Sequence, residues 1–280
     1  MARVARIGAE AAPRKPAAAQ RAVRTVSRAI ARAAPVLLLA LAWDALAASG
    51  AVTPFQLPRL TAVLARIWTD AVAGDLALNT ALTLYRALAG FGVAAVAGVV
   101  VGMAMSSNAA VRWLLDPIVS VGFPMPKIAF LPVMMLWLGV YDLSKIAMVV
   151  LDAIFPVVTA TVAGIAGVDR HLLWSARNMG AGRRELLWQV LLPAAFPQIM
   201  TGLQVALPIA LIVAVVAEML MGGYGLGGAM AHASRFADSR GVFAGIVEIA
   251  AVGYVLVKAM ALVRRCLLVW HQEVQAPSTV

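Results

Sequence analysis

The sequence contains a single cysteine, Cys266, which excludes an internal disulfide and any cysteine-built metal cluster. Its three histidines, His171, His232 and His271, are scattered and form no metal-ligand spacing. No G-x-x-x-x-G-K-[ST] motif occurs, so ATP binding by a P-loop on this chain is excluded. No Ser/His/Asp set or carboxylate pair stands out as a catalytic arrangement. Charge is also scarce: 13% of residues are charged, against roughly a quarter in soluble domains. What replaces it is apolar, with 62% hydrophobic residues and a mean hydropathy of +0.89. A soluble fold of this composition would leave large apolar patches in water. The chain therefore reads as an integral membrane protein.

The net charge of +10 comes mostly from arginines in the first 32 residues and in connecting segments. In a chain this apolar, such arginines mark the cytoplasmic side of a membrane rather than a nucleic-acid surface. Residues 1–34, rich in arginine, alanine and proline, are expected to form a basic cytoplasmic tail, disordered or helical on lipid. Ala45-Leu46-Ala47 resembles a signal-peptidase site. The long basic region before it and Asp44 within the apolar run argue for keeping the segment as a first membrane helix.

A span needs about 20 apolar residues. By that rule, 35–51, 82–105, 118–140, 146–165, 199–221 and 242–263 are the candidates. The third is the least regular, because Pro117, Pro124, Pro126 and Pro132 each remove a backbone donor. Such a segment survives at membrane depth only where protein or water satisfies the freed carbonyls. Residues 60–73 alternate at helical spacing and read as an amphipathic helix on the outer surface. Arginines concentrate in the tail and in the segments around 112, 170–184 and 264–265, whereas Arg59, Arg66, Arg86, Lys145, Arg235 and Arg240 fall on the other side. The imbalance places both termini inside. Gly98 and Gly102 form a G-x-x-x-G step flanked by Gly90 and Gly92, read as intramolecular helix packing in preference to a dimerisation face. No strong internal repeat is visible, which argues against a secondary carrier built from paired halves.

The one long polar interruption runs W-S-A-R-N-M-G-A-G-R-R-E-L-L-W-Q-V-L-L-P from Trp174 to Pro193. Asp169 is placed to cap a helix from Arg170 through Leu172, Leu173 and Ala176. Gly180 and Gly182 permit a sharp turn, with Ala181 small enough for close approach. A second amphipathic segment, 184–192, is expected to end at Pro193 and Pro197. Two short helices around a tight corner suit insertion into a groove on another protein.

Ser175-Ala176-Arg177, Gly180, then Val190, Leu192 and Pro193 resemble the EAA loop of ABC-type, binding-protein-dependent importer permeases, whose pattern is E-A-A-x-x-x-G followed after a fixed spacer by I-x-L-P. Leu57-Pro58, T-L-Y-R-A-L-A-G-F from Thr83 to Phe91, Leu115-Asp116-Pro117, P-M-P-K-I from Pro124 to Ile128, Leu136 to Lys145, and Ala217-Glu218-Met219 followed by Gly225-Leu226-Gly227 are similar to the nitrate/sulfonate/taurine (bicarbonate) branch. The resemblance covers 57–264. Two departures stand: Trp174 replaces the leading glutamate and Ser175 the first alanine. Arg183, Arg184 and Glu185 are candidates for polar docking contacts in their place, beside the alternative of a solvated loop face.

The resemblance implies an all-α integral membrane protein of about six transmembrane helices in the type I ABC importer permease architecture. Its parts would be a tail 1–34, a permease domain 35–265 with a coupling loop 168–197, and a cytoplasmic tail 266–280. It implies a homodimer in the bacterial inner membrane, a separate ATPase subunit that uses the ATP, and an external substrate-binding protein. Nucleic acid is not an expected partner, membrane lipid is, and no cofactor is expected on this chain. The cargo class is a small anion or organic sulfonate, with a vitamin-precursor pyrimidine as a further option. The coupling residues would be Trp174, Ser175, Ala176, Arg177, Gly180, Ala181, Arg183, Arg184, Glu185, Leu192 and Pro193. Pro124, Lys127, Gln204 and Glu218 are candidates for the pathway, as polar or helix-breaking residues at membrane depth. Asp44, Asp152, Glu248 and Lys258 are read as structural. Gly223 to Gly228 satisfies G-x-G-x-x-G, but no strand precedes it, so it reads as a flexible external turn rather than a dinucleotide site. The alternatives are an ion-coupled secondary transporter without an ATPase, and an intramembrane enzyme or scaffold.

Overall fold

The computed structural model describes residues 34–269 and divides the chain into two units, Met1–Leu60 and Thr61–Val280. In the first unit, helix α1 (Ala34–Ala48) carries an exposed apolar surface through Val36, Leu37, Leu38 and Leu41. The segment after it folds back: Trp43 Nε1 donates to the Pro58 carbonyl at 2.9 Å, and Asp44 Oδ1 accepts from the Leu60 amide at 3.3 Å. Asp44 thus has the structural role expected of it. The expected tail 1–34 lies outside the described residues except for its last position.

The second unit is entirely helical among the described residues. It comprises α2 (Leu60–Ala73, whose first residue closes the first unit), α3 (Asp75–Ser107), α4 (Ala109–Gly122), α5 (Leu131–Leu138), α6 (Asp142–Ala166), α7 (Arg170–Asn178), α8 (Arg183–Glu185), α9 (Leu192–Met221), α10 (Leu226–Arg235) and α11 (Ser239–Leu267). A single 3₁₀ turn, Lys127–Phe130, precedes α5. Among the described residues, four helical stretches are long and apolar enough to cross a bilayer: α3, α6, the continuous run Arg183–Met221, and α11. The proline-rich third candidate is a fifth only as a broken span, since α4 and the Lys127–Leu138 helix meet at 98°. Pro124 and Pro126 sit in that break, where a continued helix would leave carbonyls without donors. The first candidate is α1, shorter than a span over its described length.

The centre of this unit is α3, α6 and α9. In lipid, apolar side chains gain little by leaving one apolar phase for another, so close backbone approach carries the packing. Glycines supply it. A methyl group at Gly90 would meet Val149 Cγ1, one at Gly98 would meet Val157 Cβ, and one at Gly102 would meet Thr161 Cβ, at 2.5, 2.7 and 2.6 Å. The constant offset shows that α3 and α6 run parallel in fixed register. The G-x-x-x-G step is therefore an intramolecular seam. Across the other side of α6, Gly202 of α9 faces Ala160 and Pro156, and Gly164 faces Ala195 and Gln198, so α9 runs antiparallel. Buried alanines 87, 94, 153, 206, 210, 214 and 217 complete the interior. We call the end where α6 gives way to α7 the elbow end, and the end where α9 gives way to α10 the turn end.

One expectation changes here. Pro193 and Pro197 do not end the helix that precedes them, because Arg183–Met221 is continuous. A π-helical segment, Leu186–Leu191, ends just before Leu192-Pro193, and Leu192 N donates to Leu187 O, five residues back. The widened turn accommodates the proline ring and the donor it lacks, so the chain stays helical.

Candidate functional site

At the elbow end the loop is built as its sequence suggested. Asp169 Oδ1 accepts the His171 amide at 2.8 Å and caps α7. The helix closes in a Schellman motif: Gly180 N donates to Arg177 O at 2.9 Å and Ala181 N to Ala176 O at 3.0 Å. Gly180 holds φ +89°, a conformation that side-chain-bearing residues resist. Nothing lies within 4 Å of the place its Cβ would occupy, so the demand is conformational and not steric. Gly182 differs from expectation. Its φ is −70°, open to any residue, and its amide donates to Glu185 Oε2 at 2.8 Å. Glu185 therefore caps its own short helix.

Ala176 and Leu186 are buried and close the corner from inside. Ser175 contributes its carbonyl, which accepts from Met179 N at 3.1 Å. Arg177, Arg183, Arg184 and Pro193 are exposed, Ala181 and Leu192 half-buried. Trp174, in the place of the motif glutamate, stands exposed and packs edge-on against His171 with ring centroids 5.2 Å apart. With Leu172, Met179 and Trp188 it leaves an apolar surface among arginines.

The four pathway candidates fall in three places. Pro124 and Lys127 lie in the break, where buried Lys127 donates to Phe123 O at 3.1 Å and pairs with Asp152 Oδ1 at 2.9 Å, its ammonium over the Phe155 ring. Gln204 receives Arg264 Nη1 from α11 at 2.5 Å. Glu218 lies about four turns further along α9, at the turn end. Among the residues read as structural, Asp152 is thus a counter-ion, and Lys258 rests over the Tyr254 ring.

Glu218 is the centre of a buried polar cluster that the sequence did not disclose. Its side chain is 0% exposed, and it accepts from Arg86 Nη1 at 2.6 Å, from Thr83 Oγ1 at 2.8 Å and from the Gly227 amide at 3.0 Å. Thr83 Oγ1 in turn accepts the Leu226 amide at 2.9 Å, and Asn79 Oδ1 accepts the Gly225 amide at 2.8 Å. The opening amides of α10, orphaned in any helix, are thus satisfied by side chains of α3 and α9. Arg86 also donates to the Tyr224 carbonyl at 2.6 Å and to Asp142 at 2.7 Å, and buried Lys145 donates to the Gly222 carbonyl at 2.9 Å. The glycine-rich turn, expected to be flexible, is fastened on every side. Gly225, at φ +128°, packs against the Glu218 carboxylate, and a Cβ on Gly227 would enter the Val215 carbonyl. A signal for Arg86 was present: an arginine inside an apolar run requires an acid, and Glu218 was one of the few acids within the candidate spans.

Beside the cluster opens a cavity of about 680 Å³, lined by Asn79, Tyr224, His232, Asp238 and Glu248 among others. Arg66 of α2 bridges Asp70 at 2.9 Å and Asp238 at 2.6 Å, tying α2 to the start of α11. Burial pushes the Asp238 carboxyl pKa up. The Gly241 amide, the Arg66 guanidinium and the Arg240 amide outweigh it and hold the group below its ordinary range.

The family described as binding-protein-dependent transport system inner membrane component matches residues 90–267. The taurine transport system permease protein TauC of Escherichia coli strain K12 is 33% identical over 243 residues, 85% of this chain and 88% of that one. The putative aliphatic sulfonates transport permease protein SsuC of Bacillus subtilis strain 168 is 31% identical over 239 residues, 85% and 86% of the two chains. Among solved structures, an inward-facing MetNI methionine ABC transporter chain shares the fold at a TM-score of 0.62 and 17% identity, covering 71% of this chain and 98% of that one.

Proposed function

The chain belongs to the family of binding-protein-dependent transport system inner membrane components, and from that premise we propose that it carries a small organic sulfonate or related oxyanion inward as the permease subunit of an ABC importer, driven by a separate ATPase. Relatives named for taurine and for aliphatic sulfonates, aligned over most of their length, support the cargo class. The elbow is the ATPase seat in this reading. The observation that carries it is the Schellman corner at Gly180, which fixes a helical pair whose outer surface is apolar and arginine-flanked.

The elbow end faces the cytoplasm. Arg86 and Lys145, which sequence reading counted with the outer segments, are buried inside α3 and α6, so they leave the connecting-segment count. The remaining bias of arginine toward the elbow end is steeper, in the direction the positive-inside rule requires. The chain performs no catalysis itself. It acts as a homodimer with two ATPase subunits inside and a substrate-binding protein outside, at the turn end. Co-purification of the full chain with its ATPase tests the reading. The complex is expected to hold, to take up a labelled sulfonate only with ATP and binding protein, and to lose the ATPase when Trp174, Met179 and Trp188 are replaced by aspartate. Uptake by the permease alone in proteoliposomes would overturn it.

A further inference from the structure

Arg86 and Lys127, cations inside the helical unit, are each matched by a carboxylate. Arg264 is not. It lies near the elbow end of α11, where Nη1 donates to the Gln204 amide oxygen, and Nε is buried with no hydrogen-bond partner. An arginine that merely anchored the helix end would keep its guanidinium in water. This one is oriented by Gln204 and turned inward. It lines a cavity of about 280 Å³ between α6, α9 and α11, together with Gly164, Gly167, Ala194, Gln198 and Thr201.

No carboxylate is among the lining residues, so the described residues supply no counter-charge there. A half-buried guanidinium whose Nε is buried without a partner, and with no carboxylate beside it, suits an anion. The opposite wall is of the other polarity. Gly164 and Gly167 present the end of α6, where the Gly167 and Val168 amides take up the Ala163 and Ile165 carbonyls and the other closing carbonyls lack a donor within the helix. Thr201 spends its hydroxyl hydrogen on the Pro197 carbonyl at 3.1 Å, leaving its oxygen as an acceptor. The wall thus accepts hydrogen bonds facing a donor cation.

We propose that this cavity binds a small oxyanion, sulfonate or phosphate, held by Arg264, whose far end carries an amine or hydroxyl directed at the end of α6 and at Thr201. An amino- or hydroxy-sulfonate cargo on its way out has that chemistry, and so does a phosphatidylethanolamine or phosphatidylglycerol headgroup. The cargo form rests on the importer reading above; the site itself does not.

The test uses the full chain assembled with its ATPase in nanodiscs of phosphatidylcholine. Taurine and inorganic sulfate are titrated in one arm, and phosphatidylglycerol or phosphatidylethanolamine in the other, with binding read by native mass spectrometry and thermal shift. Arg264→Gln should weaken binding at least tenfold, and Arg264→Lys less. Arg265→Gln, which removes the same charge from the exposed neighbour, should stay within twofold. If Arg264→Gln fails to assemble, Ala194→Leu fills the cavity, keeps the guanidinium and should give the same loss. Arg264-dependent binding of taurine assigns the site to cargo, and of lipid alone to a headgroup. The proposal is overturned if no probe binds, if binding survives Arg264→Gln or Ala194→Leu, or if Arg265→Gln weakens it equally. ATP-driven uptake without Arg264-dependent binding removes this site but not the importer, and Arg264-dependent binding without uptake does the reverse.

Discussion

Glu218, near the end of α9, accepts a 2.6 Å hydrogen bond from Arg86 of α3, across 132 residues of sequence, with the acid fully buried and the base nearly so. Removing Arg86 leaves Glu218 charged without a counter-ion inside the protein, and removing Glu218 leaves Arg86 only its pairing with the more exposed Asp142. Glu218→Ala is expected to destabilise the chain by about 3–5 kcal/mol, and Arg86→Met by a similar amount. The double variant Arg86→Met/Glu218→Leu should fall well short of the sum. Thermal unfolding in detergent for the two singles and the double measures the coupling, and additive losses would show the pair to be independent.

Gly180 and Gly182 separate by backbone and not by crowding. Gly180→Ala should strain the corner by about 1 kcal/mol, while Gly182→Ala should be near neutral because its φ suits any residue. Gly180→Trp meets the same backbone strain, with open space for 4 Å around its Cβ. Any loss of ATPase binding beyond that of Gly180→Ala therefore reads the partner's surface. Quantitative pull-down of the ATPase by the three variants gives the comparison.

Along the α3–α6 seam, Gly98→Val would drive a branched side chain into Val157, and Gly102→Val would do so into Thr161. Overpacking of this kind costs about 1–3 kcal/mol or more, and in lipid it cannot be relieved without parting the helices. Gly92→Val, with nothing within 4 Å, should leave membrane abundance and the gel-filtration profile unchanged.

The Arg66–Asp238 bridge carries a pH signature. The Asp238 pKa is depressed in the folded chain, so its contribution to stability is present above the ordinary carboxylate value of about 3.9 and is lost as pH falls through the lower folded value. Asp238→Asn should lower stability at neutral pH and flatten its acid dependence below about pH 4. Unfolding midpoints of wild type and variant, taken from pH 7 downward, should converge. Parallel curves would mean that Asp238 does not titrate in this range.

What the sequence disclosed was local. The Asp169 cap, the corner at Gly180 and the break at Pro124 and Pro126 each depend on neighbours a few residues away, and each stands where it was expected. What stayed hidden was pairing at a distance. The hydropathy of 82–105 began α3 too late, because Asp75 and Asn79 look like loop residues, and the bond from the α10 turn to Asn79 is not visible in the sequence. Pro193 was misleading for a different reason: a proline forbids one hydrogen bond, and a π turn had already moved that bond elsewhere.

That π turn makes Arg183–Met221 a single rod of 39 residues, anchored at one end by the elbow and carrying Glu218 near the other. At 1.5 Å per residue it is about 58 Å long, nearly twice the thickness of a bilayer's hydrocarbon core. Tilting such a rod by about 5° sweeps one tip about 5 Å relative to the other, more than the width of a water molecule. A push delivered at the first residues of this helix needs no relay of side chains to arrive at the far mouth.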